Sequence, residues 1–344
     1  MKSFGKIAAL KELILSDIRS GVLSPGMRIP SRASFMNRCG CARASIDRAV
    51  EELVADGFLY SRQGSGTFVA EPQAREEEIS RLAIIGSFKS SRGVWRASNL
   101  TPVDPLQQRF KCKLYDIHRV GVNLNRIARG GTGVVWMYPR YQELMAMDFL
   151  DKFHIPQLLI FRIFDNYDYI TTDAYSSIAH GLEWLTGEAG KTMGFITSLS
   201  DTRFPYVAER QLCFYELAIR QGITVPPEWL CCDYLRDAEP VLEMMRRVVR
   251  RLFGGSRRCR AIYLDTINWY KPFLAAASEF GFRPKRDFHL LVFDSPAPNA
   301  TPPAGVAWMR QNFEGINDKI IEWVEHNGRK PMRLKIDTIL ETGK

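Results

Sequence analysis

The stretch Ile29-Pro30-Ser31-Arg32-Ala33-Ser34-Phe35-Met36-Asn37-Arg38-Cys39-Gly40-Cys41-Ala42-Arg43-Ala44-Ser45-Ile46-Asp47-Arg48-Ala49-Val50-Glu51-Glu52-Leu53 reads as two helices around a tight turn. Pro30-Ser31 opens the first helix, where a serine oxygen at the N-cap accepts from a free backbone N–H. Phe35 and Met36 give that helix its apolar face. Gly40 takes the turn, because it alone adopts a left-handed backbone without a steric penalty. Ile46, Val50 and Leu53 recur at i, i+4 and i+7, which predicts a helix over 42–56 stopped by Gly57. On the N-terminal side, Ile7, Leu10, Leu13, Ile14 and Ile18 predict an amphipathic helix over 6–20, ended by Gly21 and the turn Ser24-Pro25-Gly26. On the C-terminal side, Phe58-Leu59-Tyr60 and Thr67-Phe68-Val69 read as short strands joined by Ser61-Arg62-Gln63-Gly64-Ser65-Gly66. Three helices followed by a glycine-tipped ribbon predict a winged helix of α+β class over residues 1–70.

That arrangement suits DNA. An arginine at a helix N-terminus forks onto guanine in the major groove, and a hydroxyl beside it serves several bases or a phosphate; Arg43 and Ser45 hold those positions. Gly64 and Gly66 let the wing backbone approach the sugar-phosphate rail, with Arg62 and Gln63 beside it. Residues 1–70 carry ten Lys and Arg against six Asp and Glu, a denser basic excess than in the rest of the chain. Cys39 and Cys41 flank the turn glycine, but zinc needs four ligands and no second Cys/His pair lies nearby. Packing is the expected role of these thiols.

The run Ile29-Pro30-Ser31, Gly40, Arg43-Ala44-Ser45-Ile46, Ala49–Leu53, Gly57-Phe58-Leu59 and Arg62–Val69 resembles the DNA-binding domain of GntR-type bacterial transcription regulators. The resemblance implies a double-stranded DNA operator as partner. It also implies an interface drawn from Ser31, Arg32, Arg43, Ala44, Ser45, Arg48, Arg62, Gln63, Gly64, Gly66 and Thr67. The chain departs from the pattern twice. Arg32-Ala33 stands where Glu-Arg is usual, and Asp47 stands where an arginine is frequent.

With 344 residues, 46% hydrophobic and 25% charged, the chain has globular composition and room for two or three domains. No apolar run approaches a bilayer span and no signal-peptide pattern begins the sequence. Seven cysteines, an odd number spread through a long chain, do not form a secreted disulfide framework. A cytoplasmic protein is expected, with no membrane partner.

Glu71–Glu78 is polar and proline-marked, so 71–80 reads as a linker to a second domain over 81–344. There, apolar runs over 81–87, 111–117, 133–138, 157–162, 169–172, 192–197, 230–234, 261–265, 289–293 and 306–309 alternate with helical stretches. Such alternation predicts α/β architecture, with parallel sheet covered on both faces. The stretch 90–111 reads mostly as loop.

His154-Ile155-Pro156, Asp173 before a helix, Ala208-Glu209-Arg210, Ala261-Ile262-Tyr263 and Leu291-Val292-Phe293-Asp294 follow in the order found in LacI-type repressors. The second half is thus similar to their two-lobed, periplasmic-binding-protein-like effector domain, although the hinge helix of that family is missing and 88–132 matches poorly. By that resemblance Arg210 and Asp294 hydrogen-bond the effector, and Tyr234 stacks on it. Asp265-Thr266 and Phe164-Asp165 fall at strand ends, where sites form in such sheets. Phe88, Trp136 and Trp269 are candidate apolar walls, the tryptophans equally candidates for core. Arg246-Arg247 and Arg250-Arg251 read as a solvated helix face.

These readings converge on a homodimeric DNA-binding regulator, more often a repressor, controlled by a small-molecule effector of carbohydrate or nucleoside type. No nucleophile elbow, Walker loop or His-Glu-x-x-His helix occurs, so no enzyme activity, cofactor or metal is expected. The competing readings are a DNA-binding head fused to an enzyme, or to a sensor fold that binds a protein.

Overall fold

The computed structural model describes residues 2–19, 22–70, 78–91, 94–97, 103–128, 130–164, 166–198, 205–232, 240–297 and 300–343. The N-terminal head comprises α1 (Lys2–Arg19), α2 (Arg32–Cys39), α3 (Arg43–Ala55), β1 (Leu59–Arg62) and β2 (Gly66–Val69). Ser31 caps α2, its Oγ accepting from Ser34 N–H at 3.2 Å. Gly40 ends that helix at φ +59°. Ile14, Phe35, Ile46, Val50, Leu53 and Phe58 meet in the core of the head, and each large apolar side chain buried there contributes about 1.5–3 kcal/mol. Met36 differs from the expected apolar face and lies exposed. Adjacent helix positions point about 100° apart, so Phe35 alone faces inward. β1 and β2 pair antiparallel in the register Leu59–Val69 to Arg62–Gly66.

The described chain falls into two compact units, and the first contains the head. It continues with β3 (Arg81–Gly86), β4 (Phe88–Ser91), β5 (Val94–Ala97), α4 (Asp104–Arg109), β6 (Lys111–Asp116), α5 (Leu124–Ile127), β7 (Thr132–Met137), α6 (Leu144–Asp151) and β8 (Gln157–Ile160). Here β6, β3, β7 and β8 lie side by side in parallel. All residues of β7 and β8 are buried, as a sheet covered on both faces requires. Trp136 belongs to this core and donates from Nε1 to Gln157 Oε1 at 2.9 Å. The stretch expected to be loop instead contributes the antiparallel pair β4–β5 and the short α4, which has a proline in its first turn. Phe58 of the head meets Phe153, just past α6, edge-on at 4.7 Å.

The second unit starts within β9 (Asp168–Thr172). It comprises α7 (Ala174–Ala189), β10 (Met193–Thr197), α8 (Pro205–Gln221), β11 (Leu230–Cys232), α9 (Val241–Phe253), β12 (Ala261–Leu264), α10 (Tyr270–Glu279), β13 (His289–Phe293) and β14 (Val306–Arg310). α11 (Phe313–Glu325) ends in the first unit, and β15 (Arg333–Ile336) and β16 (Ile339–Thr342) return to the second. The sheet order is β11-β10-β12-β13-β14-β16, parallel except for β16. β15 pairs in parallel with β9. Each expected strand segment contains a strand, and β4, β5, β15 and β16 come in addition. β15 is half-buried at best and alternates polar with apolar residues over only four positions, too little pattern to stand out.

On α9, Met244, Met245, Val248 and Val249 face the core. The arginines on the other side have their own partners: Arg246 meets Glu279 at 2.7 Å, and Arg251 donates to Leu230 O. Among the described residues, no group of three or more His, Cys, Asp or Glu is placed to hold a metal. Among the described residues, no helix is long and apolar enough to cross a membrane.

Candidate nucleic-acid interface and ligand site

The N-terminal turn of α3 presents an open basic surface. Ala42 precedes it in extended conformation without a side-chain cap. Arg43 keeps 76% of its side chain exposed, Ala44 is exposed and Ser45 is half-buried. Arg48, one turn further, is exposed and pairs with Glu52 at 3.4 Å. At the ribbon tip Arg62, Gln63 and Gly64 are all exposed, and Gly64 sits at φ +75° with open space where a Cβ would be. Gly66 has φ +119°, and a Cβ there would lie 2.6 Å from Arg28 Nε. Arg28 thus belongs to the wing surface, although no helical or strand pattern in the sequence marks it.

Arg32 and Thr67 are occupied internally. Arg32 Nε donates to Asp47 Oδ1 at 3.2 Å, and its Nη1 donates to Thr67 Oγ1 at 3.0 Å. Thr67 is buried, with Ser61 Oγ 3.2 Å away. Asp47 Oδ2 also lies 3.8 Å from Arg43 Nε. The two departures from the GntR-type pattern, Arg32 and Asp47, are therefore one ion pair joining α2 to α3.

In the second unit, the C-terminal ends of four neighbouring parallel strands present a row of polar side chains. Thr197 closes β10, Asp265 follows β12, Asp294 follows β13 and Gln311 follows β14. Arg210, 7% exposed, reaches them from α8. Its Nη1 donates to Asp265 O at 2.8 Å and its Nη2 to Asp294 Oδ2 at 3.3 Å, while its guanidinium lies over the rings of Phe293 and Tyr206. Gln311 Nε2 donates to Asp294 Oδ1 at 2.5 Å, and Thr172 Oγ1 donates to Gln311 Oε1 at 2.6 Å. Thr197 Oγ1 bonds Asp265 Oδ2 and accepts from Gln211 Nε2. Asp265 is 1% exposed, and its Oδ1 has no hydrogen-bond partner. Burial pushes its carboxyl up to about 7, against the Thr197 hydrogen bond and the Arg210 charge that pull it down. The row offers donors and acceptors of both signs to a hydroxylated ligand. Thr266 accepts from Asn268 N–H at the start of a short helical turn.

The first unit has a different surface at its strand ends. Tyr138 after β7 and Phe161 after β8 stack at 4.5 Å, and both adopt positive φ, 54° and 63°. For bulky residues this costs on the order of 1–3 kcal/mol each, a strain that clusters at ligand-binding sites. Phe164 stacks on Tyr141 at 5.7 Å. Asp294 in the second unit is also at positive φ, 73°, a conformation aspartate tolerates better. Among the expected effector residues, Arg210, Asp265 and Asp294 lie together, with Thr266 next in sequence. Phe164 belongs to the aromatic surface. Phe88 begins β4, but its side chain, Asp165 and Tyr234 lie outside the described residues. Trp269 packs half-buried against the core of the second unit. Thr197 and Gln311 escape a reading of the sequence because single polar residues at strand ends carry no periodic signal, and Gln211 because it is one polar residue among several on α8.

Residues 6–69 match the family model described as bacterial regulatory proteins, gntR family. The head is a gntR-family domain. The histidine utilization repressor of Pseudomonas putida is 42% identical over 78 residues, 22% of this chain. That match spans only 32% of the repressor's own length. Outside the gntR-family head, the fold is that of LacI-family regulators. A LacI family transcription regulator from Clostridium acetobutylicum superposes with a TM-score of 0.54 at 12% identity, covering 77% of this chain and 99% of that one. A structure described as a complex of the transcriptional regulator CelR with cellobiose superposes with a TM-score of 0.54 at 16% identity, covering 87% and 89%.

Proposed function

We propose that this chain is a cytoplasmic, sequence-specific DNA-binding transcription repressor, released from or directed to its operator by a small molecule. The observation that carries the reading is the open N-terminal turn of α3, with Arg43 and Ser45 beside a glycine-tipped wing, in a gntR-family head. A single bidentate arginine–guanine contact discriminates bases by about 1–3 kcal/mol. Arg43→Ala is therefore expected to weaken binding to a selected operator by that amount while changing binding to random duplex much less. Fluorescence anisotropy on both duplexes checks this, and equal losses on the two would reduce Arg43 to a phosphate contact.

Homodimerisation follows from the same chemistry, since one head buries too little surface for nanomolar discrimination. Leu212, Tyr215 and Ile219 support it: they expose apolar side chains at i, i+3 and i+7 along α8. Sedimentation of the full chain at micromolar concentration is expected to give a dimer, and a monomer contradicts this part of the reading.

The effector we propose is a carbohydrate, with a nucleoside second. The Arg210–Asp294–Gln311 row supplies charge-assisted donors and acceptors for vicinal hydroxyls. The cellobiose held by the similarly folded CelR points the same way. A thermal-shift screen of sugars and nucleosides should find a stabilising ligand. Asp294→Ala is then expected to weaken that ligand at least about tenfold in calorimetry, the worth of one charge-assisted hydrogen bond, with DNA binding intact. Unchanged affinity would make Asp294 purely structural.

A further inference from the structure

We propose that Asp47 sets the base preference of the head, by holding Arg43 in one orientation and by penalising DNA that does not reward that arginine. The inference rests on the DNA-binding reading above and adds a specificity determinant to it. An acid stands in the middle of the reading face, and its two carboxylate oxygens point to different arginines. Oδ1 accepts from Arg32 Nε at 3.2 Å, and Oδ2 lies 3.8 Å from Arg43 Nε. Arg32 is in turn fixed by Thr67 of β2 at 3.0 Å, and Thr67 is buried. A chain of polar contacts thus runs from the wing strand through α2 to the first turn of α3.

Two consequences follow, with opposite signs. A free arginine loses up to ~2 kcal/mol of side-chain entropy when it is fixed on a base. Asp47, one helical turn along, removes part of that loss by drawing Nε inward, which leaves the two terminal nitrogens as an outward fork matching guanine O6 and N7. The carboxylate itself is 42% exposed beside the surface that meets phosphates. Its charge weakens electrostatic attachment to any duplex, whatever the sequence. Raising specific contact while lowering non-specific contact is discrimination by attraction and repulsion together.

The test starts with the full-length chain and a pool of duplexes with a randomised centre. The enriched duplex, its single-base variants and an unrelated duplex of equal length are then titrated by anisotropy. For Asp47→Asn we expect tighter binding to the unrelated duplex and a fall of about fivefold or more in the enriched-to-unrelated ratio, concentrated at one guanine per half-site. Asp47→Glu, which still reaches Arg43 across one turn, should keep most of the ratio. Should Asp47→Asn lose its cooperative melt, Asp47→Ala, which also removes the charge and suits a helix, replaces it with the same fall in ratio expected. An unchanged ratio, or equal losses on both duplexes, overturns the proposal and leaves DNA binding standing. If the wild-type chain enriches no sequence at all, the DNA-binding reading falls and this proposal falls with it.

Discussion

Asp265→Asn is expected to make the folded chain more stable than wild type at pH 8 by up to about 4 kcal/mol, an advantage that shrinks on acidification and is gone near pH 4. The carboxyl is buried at the end of β12 with one oxygen unpartnered, and burial lifts it to about 7 from an ordinary 3.8. Between those two values the folded chain holds a proton that the unfolded chain has released. Stability therefore falls as pH rises through that window, by at most about 1.4 kcal/mol per unit, and levels off above pH 7. The amide never ionises, so it escapes this loss while keeping an oxygen to accept from Thr197. Urea unfolding followed by tryptophan fluorescence from pH 4 to 8 measures the difference. Curves for the two proteins that run parallel across the range would mean that Asp265 reaches water in the folded state.

Arg210→Ala is expected to cost about 2–4 kcal/mol of stability at neutral pH, somewhat less than breaking a fully buried ion pair, because Asp294 is partly exposed. The substitution leaves Asp294 with Gln311 alone, and strips Asp265 O of its guanidinium donor. It also removes the cation from the faces of Phe293 and Tyr206. Arg210→Lys should recover less than half of this, because a single ammonium cannot reach both acceptors and lie flat on a ring. Chemical denaturation of the full chain checks both variants. A loss below about 1 kcal/mol for the alanine would place the pair among ordinary surface ion pairs.

These two expectations concern residues whose partners were not visible along the chain. Arg210 and Asp294 stood out in the sequence only through ordered landmarks shared with LacI-type domains. That they bond each other, and that Gln311 and Thr197 complete the row, depends on the strand order β10-β12-β13-β14. The head was different. Ile46, Val50 and Leu53 at helical spacing, Ser31 before α2 and Gly40 after it lie within a few residues of what they act on, so their roles could be read locally. Even there, Met36 failed as a core residue, since Phe35 beside it already fills the inward position.

By itself, the sequence determined the helices and turns of the head, its glycine-tipped wing, and the alternation of buried strands with helices behind it. These depend on side-chain period and on backbone preferences that act over one or two turns of chain. Tertiary structure alone decided which charges meet. Arg32 and Asp47 are 15 residues apart, and Arg210 and Asp294 are 84 apart. Each pair reads along the chain as two unrelated surface charges, because an ion pair needs only that two ends arrive within about 4 Å, and chain folding, not spacing, brings them there.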